Sequence, residues 1–246
     1  MKSLKIIFLL LFFSFTFTYL PSSLLSSPQQ TNPDFSKYRD FGHLSGFIGN
    51  YLSKPRKPVT MSSTEGTYKL TFYWITRESE SSGRKTEEIL IISAETKDEN
   101  PINVSKSFKR DLDREGTAIL EDGRLINVID RNETKRYLDI STKYPTGLGC
   151  KNNNLTPFIS VAVSSDNKEL YYGDKIYVPD AKGTPLPDGG KHDGLFSVDD
   201  TGKGIAKDQI DVFVFIKDNW PGFQNHLKTH KKRFFVYKVF QNQKKQ

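Results

Sequence analysis

Cysteine is almost missing from this 246-residue chain: Cys150 stands alone. An intramolecular disulfide is therefore impossible, which excludes a small disulfide-stapled scaffold. The expectation for Cys150 itself is a small buried hydrophobe rather than a nucleophile. Histidine is scarce too, with four in all, and no pair of cysteines accompanies them. Neither structural zinc nor any cofactor is expected. Acidic residues are outnumbered, 29 against 36 Lys and Arg, for a formal charge of +7. The longest apolar run, residues 6–20, falls short of the roughly 20 residues that span a bilayer comfortably.

That run has the layout of a secretory signal. Lys2 and Lys5 precede it, Pro21 ends it, and Ser22, Ser23, Ser26 and Ser27 follow. Residues 1–26 are assigned to the signal, with an uncleaved anchor as the rival reading. No cysteine follows closely, which excludes a bacterial lipoprotein-type N-terminus. Export to the periplasm, envelope or medium redirects the positive charge from nucleic acid toward anionic envelope polymers, and leaves the N-terminal segment as the one route to membrane attachment. Residues 27–66, rich in Ser, Pro and Lys, read as a spacer with one short structured piece at 41–52. The late basic residues Lys228, Lys231, Lys232 and Arg233 and the tail 241–246 read equally as a solvated surface or a binding patch.

Residues 67–240 form the expected folded domain. Eighteen Phe and eleven Tyr are enough to fill a core. β-Branched and aromatic runs mark strands at 68–75, 88–94, 159–163, 175–178, 195–199, 210–215 and 234–240. Residues 118–128 read as a hairpin turning at Asp122-Gly123. Residues 105–114 suit a short helix, capped by Ser105, with Phe108 and Leu112 on one face. Many short strands and at most one short helix predict a mainly β protein built on a closed barrel.

Strand alternation sorts the acids. Asp200 shares a face with Phe196 and Val198, while Asp199 points the other way toward solvent. Asp211 shares a face with Phe213 and Phe215. A carboxylate against aromatics has its pKa raised by desolvation, and a second carboxylate nearby would raise one of the two further. On spacing alone, Asp200-Thr201-Gly202 reads first as a turn and Asp211 as a strand-end residue bonded to backbone.

A wider pattern runs Ala162-Val163-Ser164-Ser165-Asp166, Gly173-Asp174-Lys175-Ile176-Tyr177-Val178, His192-Asp193-Gly194-Leu195-Phe196, Asp200-Thr201-Gly202, Ile205 and Ile210-Asp211-Val212-Phe213. In order and spacing it resembles the 3D (three-aspartate) domain, a family that includes the C-terminal region of membrane-bound lytic transglycosylase A. The upstream pieces Leu70-Thr71-Phe72-Tyr73-Trp74, Glu115-Gly116-Thr117, Asp122-Gly123-Arg124-Leu125 and Tyr144-Pro145 with Gly147 are also similar. The resemblance implies a six-stranded double-psi β-barrel with loop and strand insertions, and places the three aspartates at Asp166, Asp200 and Asp211. Two departures stand out: Lys203 replaces a glycine, and Ala206 and Lys207 stand where Lys and Gly are usual.

The resemblance further implies cleavage of the β-1,4 glycosidic bond of peptidoglycan without water. One acid, Asp211, would protonate the leaving oxygen; Asp200 would tune it and Asp166 would support the site. Tyr73, Trp74, His192, Thr201 and Gly202 would contact the glycan, with Trp220 a further stacking candidate. The glycan strand is the expected partner, met by a monomer. A non-catalytic, expansin-like wall-binding module is the leading alternative, and an endoglucanase-type hydrolase suits the same fold. The tripeptide Asp200-Thr201-Gly202 also occurs in aspartic proteases, which need two such aspartates from paired lobes.

Overall fold

The structure is a computed structural model that describes residues 60–130, 135–187, 189–229 and 232–240. The signal, the piece at 41–52 and the tail 241–246 lie outside the described residues. The fold is mainly β, with two sheets and two short helices.

Six strands close on one another in a ring: β1 (Thr60–Tyr73), β11 (Gln209–Phe213), β8 (Ser160–Ser164), β10 (Leu195–Gly202), β9 (Lys175–Tyr177) and β12 (Phe234–Phe240). Two neighbouring pairs, β1/β11 and β8/β10, run parallel, and the other four run antiparallel. Closure leaves no sheet edge to template aggregation. Alternate residues point inward: Leu70, Val161, Val163, Ile176, Ile210, Val212 and Val236 are all buried in one core. β1 starts at Thr60, where its backbone pairs with β12, so the spacer ends earlier than composition indicated. A strand of Thr, Ser and Met has no apolar alternation to announce it.

Residues 76–139 form a second six-stranded sheet inserted between β1 and β8. It comprises β2 (Thr76–Arg77), β3 (Lys85–Ile92), β4 (Glu99–Ser105), β5 (Thr117–Ile119), β6 (Leu125–Asp130) and β7 (Arg136–Asp139), in the order β2-β5-β6-β7-β3-β4. Helix α1 (Lys106–Glu115) covers one face, burying Phe108 and Leu112 against Ile89, Ile91, Val104, Ile126 and Tyr137. The Ser105 hydroxyl accepts the Phe108 N–H at 3.2 Å, and Gly116 ends the helix at φ +87°. Leu125, on the opposite face of β6, joins the barrel core and ties the insert to it.

The expected limit of one short helix is exceeded. A second, α2 (Trp220–Leu227), sits between β11 and β12, with Pro221 in its first turn and Phe223 and Leu227 buried. Pro221 and Gly222 hide the four-residue spacing of Phe223 and Leu227, which carries the helix.

Candidate active site

Asp211 on β11 pairs with Ala162 on the central strand β8, and Ala162 pairs on its other side with Asp200 on β10. Thr71 on β1 flanks Asp211 from the other direction. The two aspartates therefore lie abreast, separated by one strand whose residue at that level is an alanine. Two strand spacings put their backbones roughly 10 Å apart. A methyl between them leaves the space over the sheet open.

Asp200 reaches this row through a β-bulge. Val198 pairs with Val161, but Asp200, two residues on, pairs with Ala162, so Asp199 is the extra residue. The extra residue flips the face of everything after it. Val198 points into the barrel core and Asp200 out of it, contrary to strict alternation. Nor is Asp199 left to solvent: its carboxylate accepts the hydroxyls of Ser160 at 2.6 Å and Ser197 at 2.5 Å. Its carbonyl accepts Asn153 Nδ2 at 3.1 Å.

Both aspartates line a cleft between the barrel and the inserted sheet, with about 1150 Å³ of space including its open side. The barrel contributes Tyr73, Trp74, Ala162, Asp200, Thr201, Gly202, Asp211 and Phe213. The insert contributes Arg114, Glu115, Thr117, Asn127 and Val128, and the segment 147–155 forms a third side. A second, more polar hollow shares Tyr73, Trp74, Arg114 and Glu115 with the first and extends toward Arg77 and Lys217.

The electrostatics of the pair come from burial. Asp200 is 5% exposed, and desolvation pushes its carboxyl up to about 7. The backbone N–H groups of Cys150 (3.0 Å) and Thr201 (2.9 Å), both donating to Oδ1, and the Tyr73 hydroxyl, 3.4 Å from Oδ2, offset part of that rise. Asp211 is half-buried and also raised, again by desolvation first. Its Oδ1 accepts from the Thr71 hydroxyl and from Gln209 Nε2 at 2.6 Å, which work against the rise. Desolvation, expected from the aromatic neighbours, leads at both, while the further rise expected in one of them from a second carboxylate is not among the causes at either. The Tyr73 phenol is held well above its ordinary value by burial and by the surrounding aspartates.

Of the residues singled out from sequence, the cleft gathers Asp211, Asp200, Tyr73, Trp74, Thr201 and Gly202. Asp166 does not line it and sits exposed in the turn after β8. His192 is 1% exposed and also lies outside it. Its Nε2 is 2.7 Å from the Phe158 carbonyl, its Nδ1 accepts the Gly194 N–H, and its ring stacks on Phe196 at 4.4 Å. This is a histidine satisfied within the core. Trp220 stacks on Phe72 at 6.1 Å and packs against the core. Lys203 is exposed and does not line the cleft.

Cys150, Tyr172 and Asn127 were missed. Cys150 is half-buried in the cleft wall, where burial pushes its thiol up. Tyr172 is 40% exposed, and its phenol is raised by partial burial and then by Asp199, Cys150 and Asp200. Asn127 could be found only through the strand pairing that turns it toward the barrel.

Neither the family models nor the curated protein sequences compared with the chain match it. Solved structures do resemble it. One is Escherichia coli MltA with bound chitohexaose, at 13% identity over 85% of each chain with a TM-score of 0.47. The lytic transglycosylase LtgG of Burkholderia pseudomallei aligns at 12% identity over 75% of this chain and 76% of its own, with a TM-score of 0.42. The membrane-bound lytic murein transglycosylase of Agrobacterium tumefaciens covers 58% of this chain and 52% of its own at 12% identity and a TM-score of 0.33. Superpositions this loose do not assign a site.

Proposed function

We propose that this is an exported, peptidoglycan-cleaving protein of the lytic transglycosylase type, built on a double-psi barrel of the 3D family. The observation that carries the reading is the pair of carboxylates abreast of Ala162, both raised by burial and neither in an ion pair among the described residues. A carboxyl raised by burial and lining a cleft is suited to general acid catalysis.

Asp211 acts as the acid. Asp200 has both oxygens engaged and is almost wholly covered, whereas Asp211 is the more open and commits Oδ1 alone to Thr71 and Gln209. Asp211 donates its proton to the bridging oxygen as the C1–O bond breaks, and positive charge develops at C1. The muramic acid 6-hydroxyl then attacks C1, and its proton returns to the Asp211 carboxylate. The products are a 1,6-anhydro end and a free 4-hydroxyl, with no water consumed. An internal hydroxyl has a large effective concentration, so a single carboxyl can serve as acid and then base. Glycosidases that use water or a protein nucleophile employ two carboxylates. Asp200, protonated through part of the neutral range, limits the negative charge beside Asp211.

Mass spectrometry of purified sacculi incubated with the protein tests this. Anhydro-muropeptides are the expected product. Reducing-end muropeptides would indicate a hydrolase, and sacculus binding without release would indicate the wall-binding module.

A further inference from the structure

The bulge that turns Asp200 into the cleft is tied down by a chain of hydrogen bonds for which the proposed chemistry has no use. Asp199 is the extra residue of that bulge, and it is not among the residues that line the cleft. Its carboxylate bridges two strands, accepting the hydroxyl of Ser160 on β8 at 2.6 Å and that of Ser197 on β10 at 2.5 Å. Both serines are buried, and they are register partners across the β8–β10 pair. Each serine oxygen is itself given a donor. Ser160 Oγ accepts the Thr156 N–H at 2.8 Å, and Ser197 Oγ accepts from Lys175 Nζ. Every proton in the chain therefore points toward Asp199, an order that suits a charged carboxylate and its short, strong bonds.

The same residue holds the segment that covers Asp200. The Asp199 carbonyl accepts Asn153 Nδ2 at 3.1 Å, and the Asn153 carbonyl accepts the Gly149 N–H at 2.8 Å. Cys150, next in the chain, donates its N–H to Asp200 Oδ1 at 3.0 Å. A bulge leaves its extra residue outside the ladder, so strand pairing does not fix Asp199. The two serine hydroxyls do.

We propose that Asp199 is a positioning residue for the candidate active site: its carboxylate holds the bulge between Ser160 and Ser197, and so aims Asp200 into the cleft abreast of Asp211. It acts through Asp200 and through the cover that Cys150 gives it. A misplacement of about 1 Å in a site of this kind can cost on the order of 10²-fold in rate. The consequence for activity rests on the glycan-cleaving reading above; the geometry of the clamp does not.

Carbon-13 NMR titration of the aspartate carboxyls in the full chain tests the clamp, with the Asp200 signal identified by its loss in Asp200→Asn. In wild type that carboxyl should titrate at about 7. Asp199→Ala frees the bulge and admits water to Asp200, so the midpoint should fall by about one pH unit or more. Asp199→Asn removes the same charge but keeps an oxygen for one hydroxyl and an N–H for the other, and should stay close to wild type. The groups that face Asp200 from neighbouring elements, Tyr73, Asp211 and Cys150, are the same in every variant. Equal falls in both variants would trace the effect to charge alone and overturn the proposal. So would a folded Asp199→Ala protein whose Asp200 midpoint stays put, even if its melting temperature drops. Should Asp199→Ala fail to fold, Ser197→Ala removes one hydroxyl and leaves the charge: a fall supports the clamp and an unmoved midpoint overturns it. Release of anhydro-muropeptides should drop in Asp199→Ala and recover in Asp199→Asn. A wild type that releases none removes the cleavage reading, and the titration still decides the clamp.

Discussion

Replacing Asp200 by asparagine should make the protein more stable at pH 8 and leave it no more stable at pH 4. The carboxyl titrates near 7 in the folded chain against an ordinary value of 3.8, because burial penalises its charged form. The folded state therefore binds the proton more tightly than the unfolded chain. Below about pH 4 both states are protonated and nothing is lost. As pH rises from there toward 7, the unfolded chain ionises first and stability falls; above 7 the loss is complete. About three pH units correspond to on the order of 4 kcal/mol. Asparagine keeps the size and carries no charge, and its carbonyl can still accept the N–H groups of Cys150 and Thr201. It is spared that penalty but keeps a smaller cost for its own polar burial, so 4 kcal/mol is an upper bound. For a domain of this size each kcal/mol is worth roughly 2–4 °C. Thermal melts of wild type and Asp200→Asn by circular dichroism, from pH 4 to pH 8, should show a gap that opens by several degrees with rising pH. A gap constant with pH, or a variant less stable at pH 8, would refute the raised carboxyl.

Tyr73→Phe removes the hydroxyl 3.4 Å from Asp200 Oδ2, one of the bonds that hold the carboxyl down. In thermal melts against pH, the loss of stability assigned to Asp200 should shift to higher pH in Tyr73→Phe, and a shift to lower pH would contradict the assignment. At Gly149 an added methyl would lie 2.6 Å from the Asp199 carbonyl and 2.7 Å from Asn153 Nδ2. Gly149→Ala should therefore displace the segment that presents the Cys150 N–H to Asp200, destabilising the protein by about 1–3 kcal/mol in urea melts. An unchanged midpoint would mean the segment yields freely.

The barrel strands were legible because buried strands of Val, Ile and Phe contrast with Gly- and Asp-rich turns, and six of the expected runs reappear within a few residues. The hairpin at Asp122-Gly123 and the helix at Phe108 and Leu112 were legible for the same local reason. Strands β2, β4 and β7 were not, since Glu99–Ser105 and Arg136–Asp139 are mostly polar and owe their conformation to pairing with β3 and β6. The site was half visible. Asp200 and Asp211 do share a cleft, but the bulge at Asp199 cannot be read from alternation, because a bulge is an interruption of it. His192 was misplaced because a motif position says nothing about burial, and the Phe158 carbonyl that satisfies it is 34 residues distant in the chain. Cys150 and Asn127 come to the cleft through contacts 50 and 10 residues apart. Local pattern gave no sign of either.

The role given to Asp211 is tested most directly by incubating purified sacculi with wild type and with Asp211→Asn, and measuring release and binding together. Asparagine preserves the shape and can still accept from Gln209 and Thr71 but cannot donate and recover a proton. Release of anhydro-muropeptides should fall by roughly 10²–10⁴-fold, the usual worth of general acid–base help, while binding to sacculi stays near wild type. An Asp211→Asn protein that releases anhydro-muropeptides at the wild-type rate would show that the proton comes from another residue.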